Sequence, residues 1–455
     1  MVRPLLLCMV CLIASSAVAQ ERIAEIRVHG NHTTPDVEVI SLSGLHVGDD
    51  ATDARLMDAS RALRASGRFE DIDVRKRFLS IVDPSQILVM LIVEEHAGVS
   101  ADHPVPGPLR RMRAASMWLP VLGYADGYGF TYGARLAFVN PLGPSTRVSV
   151  PLTWGGERRA GVDAERIIGN TPGAPALRLT GGIAAYRRVN PFFDAPDSRL
   201  DAHARAEHAF TSWLRIGGTA STAQVSFSPR PFSSAASLEP ETALIEERDR
   251  HDAIGADVTI DTRLDPSFPR NAVYARIGVD RVSFASDDLA GPVAFSEAAV
   301  VHDAAPLGTD DRTHARRQTL DARGYVGIGR PVLGVRALFL TSDTALPHSE
   351  QPLLGGADTL RGYRAGYAAD DNLAAISTEI RVPLNSPLSF GRLGVEGFVD
   401  WGATWSADAR LRDQKWNRGI GGGVFFGAGP VIADVAIAWP EHGGPRAHVA
   451  LGVSF

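Results

Sequence analysis

Residues 256–261 read Ala256-Asp257-Val258-Thr259-Ile260-Asp261, and residues 273–280 read Val273-Tyr274-Ala275-Arg276-Ile277-Gly278-Val279-Asp280. In both segments one set of alternate positions is aliphatic and the other is mostly polar or charged. This two-residue period belongs to a strand whose two faces meet different surroundings. A soluble β-sandwich also alternates. Here, however, Asp and Arg stand in mid-strand opposite a face that is almost purely aliphatic. That placement is the pattern of a membrane barrel, apolar toward lipid and polar toward the lumen.

The same period extends in both directions. Val148, Val150, Leu152 and Trp154 interleave with Arg147, Ser149 and Thr153, and Val431, Ala433, Val435, Ile437 and Trp439 interleave with Ile432, Asp434 and Ala436. From Leu109 onward such segments are separated by clusters of Gly, Pro, Asn and Asp. At roughly 10 residues per tilted strand, with connections of similar mean length, this part of the chain holds about sixteen strands. Short turns such as Asn140-Pro141-Leu142-Gly143 alternate with long polar loops such as residues 233–250, and the short turns are expected on the periplasmic side. The run Glu246-Glu247-Arg248-Asp249-Arg250 reads as solvated loop surface. Beyond the N-terminus no segment reaches the roughly 18 apolar residues of a spanning helix. A closed sheet is then the remaining way to cross a bilayer. The expected fold class is mainly β: a roughly sixteen-stranded antiparallel transmembrane barrel at 109–455, preceded by one small α+β domain at 20–97 and a linker at 98–108.

The chain has 455 residues, of which 45% are hydrophobic and 22% charged, with a net charge of -6, a composition that excludes a disordered protein. Arg3, the uncharged stretch that follows it, and Ala17-Val18-Ala19 before Gln20 form a secretory signal pattern over residues 1–19. Cys8 and Cys11 both fall inside it, so the exported chain is expected to have no thiol chemistry and no disulfide. Residues 22–29 alternate as a half-buried strand before a turn at Gly30-Asn31. Pro35 opens a short helix ending near Gly44, and a second helix runs from about Thr52 to Ser66 with Leu56, Ala59 and Leu63 on one face. Strands over Phe69–Lys76 and Ile87–Val93 complete the domain. His29 and His32 lack a third ligand, so no metal site is assigned to them.

Leu360-Arg361-Gly362-Tyr363 follows Leu354-Gly355-Gly356 and precedes Thr378-Glu379-Ile380-Arg381-Val382-Pro383-Leu384. Phe398-Val399-Asp400-Trp401-Gly402 comes next along the chain. Upstream lie Asp261-Thr262-Arg263, Pro266, Pro269 and Arg270. These segments resemble the (V/L)-R-G-(F/Y), F-x-D-x-G and D-x-R-x-x-P-x-x-P-R patterns of the BamA/TamA superfamily, also called the bacterial surface antigen family. The strand-helix-helix-strand-strand order of the N-terminal domain, with Val28-His29-Gly30-Asn31 and Ser66-Gly67-Arg68-Phe69, is similar to a POTRA domain. The terminal aromatic Phe455 is similar to the C-terminal sorting signal read by the barrel-assembly machinery.

The resemblance implies that Leu360, Arg361, Gly362 and Tyr363 sit on a loop folded back into the lumen, where Arg361 meets acidic side chains. Alternation agrees independently. If Ile376, Ile380 and Val382 face lipid, Glu379 faces inward, and if Val395, Val399 and Trp401 face lipid, so does Asp400. Arg361, Glu379 and Asp400 are therefore the expected cluster, with Gly355, Gly356, Gly362 and Gly366 allowing the loop to fold tightly. Nothing in the chain points to an enzyme. Gly419-Ile420-Gly421-Gly422-Gly423-Val424 has strand period and no following helix, and no G-x-S-x-G, H-E-x-x-H or P-loop occurs.

The expectation is an outer-membrane protein that assists insertion or translocation of unfolded outer-membrane or secreted clients, with lipid cargo also open. It would use no ATP, cofactor or metal. Its partners would be membrane lipid, clients, and periplasmic chaperones or lipoproteins, with no nucleic acid, and it would act as a monomer with the small domain in the periplasm. The alternative is a passive channel or structural surface protein that keeps the fold.

Overall fold

The computed structural model describes residues 21–80, 83–169, 176–227, 247–286, 313–384, 391–428 and 431–453. The signal segment 1–19, most of the loop 233–250, and Phe455 lie outside the described residues. The chain divides into two compact units, Met1–Ser116 and Met117–Phe455. No helix among the described residues is long and apolar enough to cross a membrane.

The first unit is built from β1 (Arg22–His29), α1 (Asp36–Ser43), α2 (Asp53–Ala65), β2 (Phe69–Phe78), β3 (Gln86–Glu95) and α3 (Pro108–Ala114). Its sheet runs β1-β3-β2, with β1 parallel and β2 antiparallel to the central strand. Ile87, Val89, Leu91 and Val93 on β3 are buried against Leu56, Ala59 and Leu63 of α2 and Val39 of α1. Each large aliphatic side chain removed from water there contributes about 1.5–3 kcal/mol. The Thr52 hydroxyl caps α2 by accepting the Arg55 amide, and Gly44, at φ 65°, ends α1 in the left-handed conformation that glycine takes without cost.

Two sequence expectations need correction here. Residues 98–108 do not form a free linker, and the barrel does not begin at Leu109. Pro108 occupies the first turn of α3, where its missing N–H costs nothing. Arg110 donates to the Gly98 carbonyl (2.9 Å), and Arg111 donates to those of Pro106 (2.8 Å) and Gly67 (3.0 Å). This segment is therefore folded onto the first unit.

The second unit is a closed antiparallel barrel of sixteen strands. They are β4 (Ser116–Ala125), β5 (Gly129–Val139), β6 (Thr146–Gly155), β7 (Glu157–Ile168), β8 (Ala176–Asn190), β9 (Ala195–Ala209), β10 (Leu214–Phe227), β11 (Glu247–Asp261), β12 (Ala272–Ser286), β13 (Thr313–Gly327), β14 (Val332–Ser342), β17 (Asn372–Pro383), β18 (Arg392–Trp405), β19 (Asn417–Ala428), β20 (Val431–Pro440) and β21 (Arg446–Val453). Between β14 and β17 the two-residue strands β15 (Leu353–Leu354) and β16 (Ala368–Ala369) pair with each other inside a long loop. We call the end at which β4 begins proximal and the opposite end distal. The 140–145 turn is proximal and the 343–371 loop distal, which follows from counting antiparallel strands.

The alternation read from sequence matches the two surfaces. Asp257 and Thr259 are buried on the inner face of β11, while Val258, Ile277, Ile437 and Trp439 are exposed on the outer face. The charged run at 246–250 was expected to be loop, but Glu247 already opens β11. β10 and β11 pair from Phe227 opposite Glu247 to Leu214 opposite Ile260. That pairing continues the sheet through polar sequence, where no apolar face is needed once both sides are wet.

Glu95, at the end of β3, anchors the turn before α1. Its carboxylate accepts the backbone N–H groups of His32 (3.2 Å), Thr33 (2.9 Å) and Thr34 (2.6 Å). Burial pushes the Glu95 carboxyl upward, but the bonds from Thr34, Thr33 and His32 outweigh it and hold the group below the usual carboxylate range. Its stabilising effect is then fully present above the ordinary glutamate pKa and is lost as pH falls through the lower folded value. Glu95→Ala is expected to cost about 1–3 kcal/mol, since it strands three N–H groups. Hydrogen exchange at residues 32–34 should accelerate in that variant at neutral pH. In the wild type the protection of the same amides, relative to unprotected amides at the same pH, should fall only under acid conditions.

Candidate functional site

The inward positions of β18 alternate as Glu396, Phe398, Asp400 and Gly402, and the 343–371 loop lies on them. Arg361 donates through Nε to Asp400 Oδ2 (2.8 Å) and through Nη2 to Oδ1 (2.8 Å), a bidentate pair, and its own backbone N–H adds a third bond to Oδ2 (3.1 Å). Nη2 also reaches the Ser377 hydroxyl at 3.0 Å, and that hydroxyl donates to Asp400 Oδ1 at 2.7 Å. The guanidinium carbon lies 3.3 Å from the centre of the Phe398 ring, so the cation is held edge-on by carboxylate and face-on by an aromatic. Two positions on, a side chain at Gly402 would run into Leu354 of β15. The F-x-D-x-G spacing is thus a ring to stack on, a carboxylate to grip and a gap to fill, all on one face.

The loop turn needs glycine at Gly362. Its φ is 96°, and a Cβ there would sit 2.9 Å from the Pro440 nitrogen at the end of β20. Leu360 is fully buried among Leu354, Leu373 and Tyr363. The Tyr363 hydroxyl donates to the Arg418 carbonyl (3.3 Å) and accepts from the Glu441 amide (3.3 Å).

All of the expected residues except Phe455 are therefore brought together, but the partner assignment changes. Asp400 is the main partner of Arg361. Glu379 is 3.8 Å away and is held more closely by Arg381 at 3.1 Å. The residue missed from sequence is Glu396, whose side chain is wholly buried, 3.3 Å from Arg361 and 3.1 Å from Arg381. Arg381 also faces Asp434 of β20 at 3.8 Å. The alternation already put Glu396 on the face of Asp400 and Arg381 on that of Glu379. Which of them pair depends on register between strands.

The loop also reaches the closing strands. The Gly362 N–H donates to His448 Nε2 on β21 (2.8 Å), which leaves the ring hydrogen on Nδ1, facing Asp126 Oδ2 at 2.6 Å. Asp126 lies between β4 and β5, so one imidazole joins the last strand, the loop and the first hairpin. Among the described residues β21 is registered with β4 by one pair, Leu451 opposite Tyr124, whereas β20 and β21 are registered from Val431–Val453 to Ala438–Arg446. At its other end the loop places Glu350 against Arg199 (2.5 Å), Arg317 (2.6 Å) and His251 (3.2 Å) of β9, β13 and β11. The strap therefore crosses the distal lumen.

Removing the guanidinium leaves Asp400 buried without its cation and leaves Glu396 with Arg381 alone. Losses of about 3–5 kcal/mol are typical when one member of a buried pair is deleted. Arg361→Ala is expected to lower the yield of heat-resistant, fast-migrating folded protein and its urea midpoint. Arg361→Lys should recover only part, since an ammonium cannot hold both Asp400 oxygens and stack on Phe398 together. Unchanged migration and midpoint in the alanine variant would disprove the role of the cluster.

Residues 130–442 match the Omp85 superfamily domain. Among solved structures, the chain is similar to BamA from Haemophilus ducreyi lacking POTRA domains 1-3, with a TM-score of 0.58, 13% identity, and coverage of 95% of this chain and 84% of that one. It is also similar to CdiB from Escherichia coli, with a TM-score of 0.49, 13% identity, and coverage of 96% and 77%. The comparison with curated proteins gave no significant match. The family match spans more than half the chain, and the closed sixteen-stranded barrel agrees with it. The chain belongs to the Omp85 superfamily, as an outer-membrane β-barrel.

Proposed function

We propose that this barrel assists the insertion or translocation of client proteins at the outer membrane through the junction of β4 and β21, with the N-terminal domain in the periplasm. The observation that carries the reading is the contrast in pairing on the two sides of β21. Among the described residues β21 is registered with β20 from Val431–Val453 to Ala438–Arg446 and with β4 by the pair Leu451–Tyr124, and we read the β4–β21 junction as the weaker seam at which an incoming strand can pair. The small domain supports delivery, because β1 and β2 both lie at edges of its sheet and an extended client segment can add there. The resemblance of this domain to POTRA modules points the same way. No chemical step, ATP or metal is needed: the client gains backbone hydrogen bonds and buries apolar surface.

The passive-channel reading is less favoured, because the 343–371 loop crosses the distal lumen and is tied to strands on both sides of it. The experiment is reconstitution of the full chain in liposomes with an unfolded outer-membrane barrel delivered by a periplasmic chaperone, following protease-resistant client. Acceleration over empty liposomes is expected. A Tyr124→Cys/Leu451→Cys disulfide across the junction should abolish it, and reductant should restore it. Equal rates with and without the protein would reject the insertase reading. Acceleration that persists in the locked barrel would reject the junction as the route.

A further inference from the structure

Several arginines in the lumen are matched by carboxylates: Arg205 by Asp257, Arg263 by Asp261, Arg323 by Asp321 and Arg361 by Asp400. The outer face near the distal rim is different. Arg158 on β7 and Arg187 on β8 stand directly opposite each other in the antiparallel register. Both are exposed, and each shares its face with lipid-facing apolar residues, Ala160 and Val162 on one strand and Ile183 and Ala185 on the other. Neither has a hydrogen bond or ion pair among the described residues. Like charges opposite each other on one face repel.

Their height is informative. Each lies about ten residues from the proximal end of its strand, which at a 35–45° tilt is roughly 25 Å along the barrel axis, the height of the apolar band of an outer-membrane barrel. The pair therefore sits where hydrocarbon gives way to headgroups. Trp154, beside them and 51% exposed, is the kind of residue found at that boundary. Below the arginines, a groove of about 680 Å³ is lined on the outer face by Leu152, Trp154, Ala160, Ala185 and Leu200. The acidic residue bordering it, Asp249, has the inward parity of β11 and stands 3.9 Å from His251.

The same arrangement recurs on the other side of β10. Arg281 of β12 stands opposite Arg316 of β13, both outward and exposed, above Ile254 and Val279 at about the same height. The nearby carboxylates are already engaged: Asp252 with Arg250 and the Thr222 hydroxyl, and Asp343 with the backbone N–H of Arg316.

We propose that Arg158 and Arg187 bind the phosphomonoester headgroup of a lipid in the leaflet at the distal rim, its acyl chains lying along the groove, and that Arg281 and Arg316 form a second such site. A phosphomonoester carries close to two negative charges and three acceptor oxygens, enough to face two guanidinium forks at once. A phosphodiester offers one charge, and a zwitterionic headgroup brings its own cation. Under the orientation proposed above, this is the external leaflet. The site itself needs only that the barrel be in a membrane, so it stands or falls independently of client insertion.

The test is native mass spectrometry of the full chain released from micelles doped with phosphatidic acid, phosphatidylglycerol or phosphatidylcholine. Wild type is expected to retain phosphatidic acid about tenfold better than phosphatidylglycerol. The R158Q/R187Q variant should lose one bound phosphatidic acid per chain and R281Q/R316Q another, both still migrating as heat-resistant folded barrels. The proposal is overturned if R158Q/R187Q retains as much phosphatidic acid as wild type, or if phosphatidylcholine is retained equally. Complete displacement by millimolar inorganic phosphate would also overturn it, assigning the arginines to a free anion.

Discussion

A backbone that crosses hydrocarbon has no water to bond to, so each N–H and C=O must find its partner within the sheet, and the sheet must close on itself. The rest of this architecture follows from that requirement. Closure gives every strand one face to lipid and one to the lumen, which is why Val258 and Asp257 can be neighbours in sequence and live in different solvents. Closure also creates a problem at the joint, where the first and last strands come from opposite ends of the barrel segment and no turn fixes their register. In this chain the described register at the joint is a single residue pair, and the His448 imidazole supplies a contact that does not rely on backbone pairing.

The lumen is organised by charge, and magnitude decides which charges matter. Exposed pairs contribute little, whereas a buried carboxylate left alone is costly. Arg361 and Arg381 serve four acidic groups between them, Asp400, Glu396, Glu379 and Asp434, drawn from β17, β18 and β20. Because each arginine is shared, the loop and the strands β17, β18 and β20 settle as one unit. The aromatic rings beneath the guanidiniums, Phe398 and Phe425, keep this polar cluster from being simply wet.

How much of this was legible depended on whether the signal was local. Strand identity and face came directly from alternation, and Arg361 with Asp400 came from a motif supported by that same alternation. Glu396, Arg381, Asp434 and His448 were on readable inward faces, yet their partners depend on register, which no single strand encodes. Asp126 sits in a turn and carried no signal. The start of the barrel was misplaced because Leu109-Arg110-Arg111-Met112-Arg113 has no clean period, and Pro108 reads equally well as a loop. The start of β11 was missed for the opposite reason: beyond the apolar band a strand can be hydrophilic on both faces.

The strap across the lumen also has an order in time. Glu350 is held by β9, β11 and β13, all of which precede it along the chain, whereas Arg361 and Gly362 are held by β17, β18 and β21, all of which follow. The two moorings of the strap thus lie on opposite sides of it in sequence, and no stretch of chain short of most of the barrel holds both. The long sequence separation between Gly362 and His448, and between His448 and Asp126, makes these contacts late and entropically expensive. The imidazole that joins loop, last strand and first hairpin can engage only when the ring is complete, so it acts as the clasp fastened last.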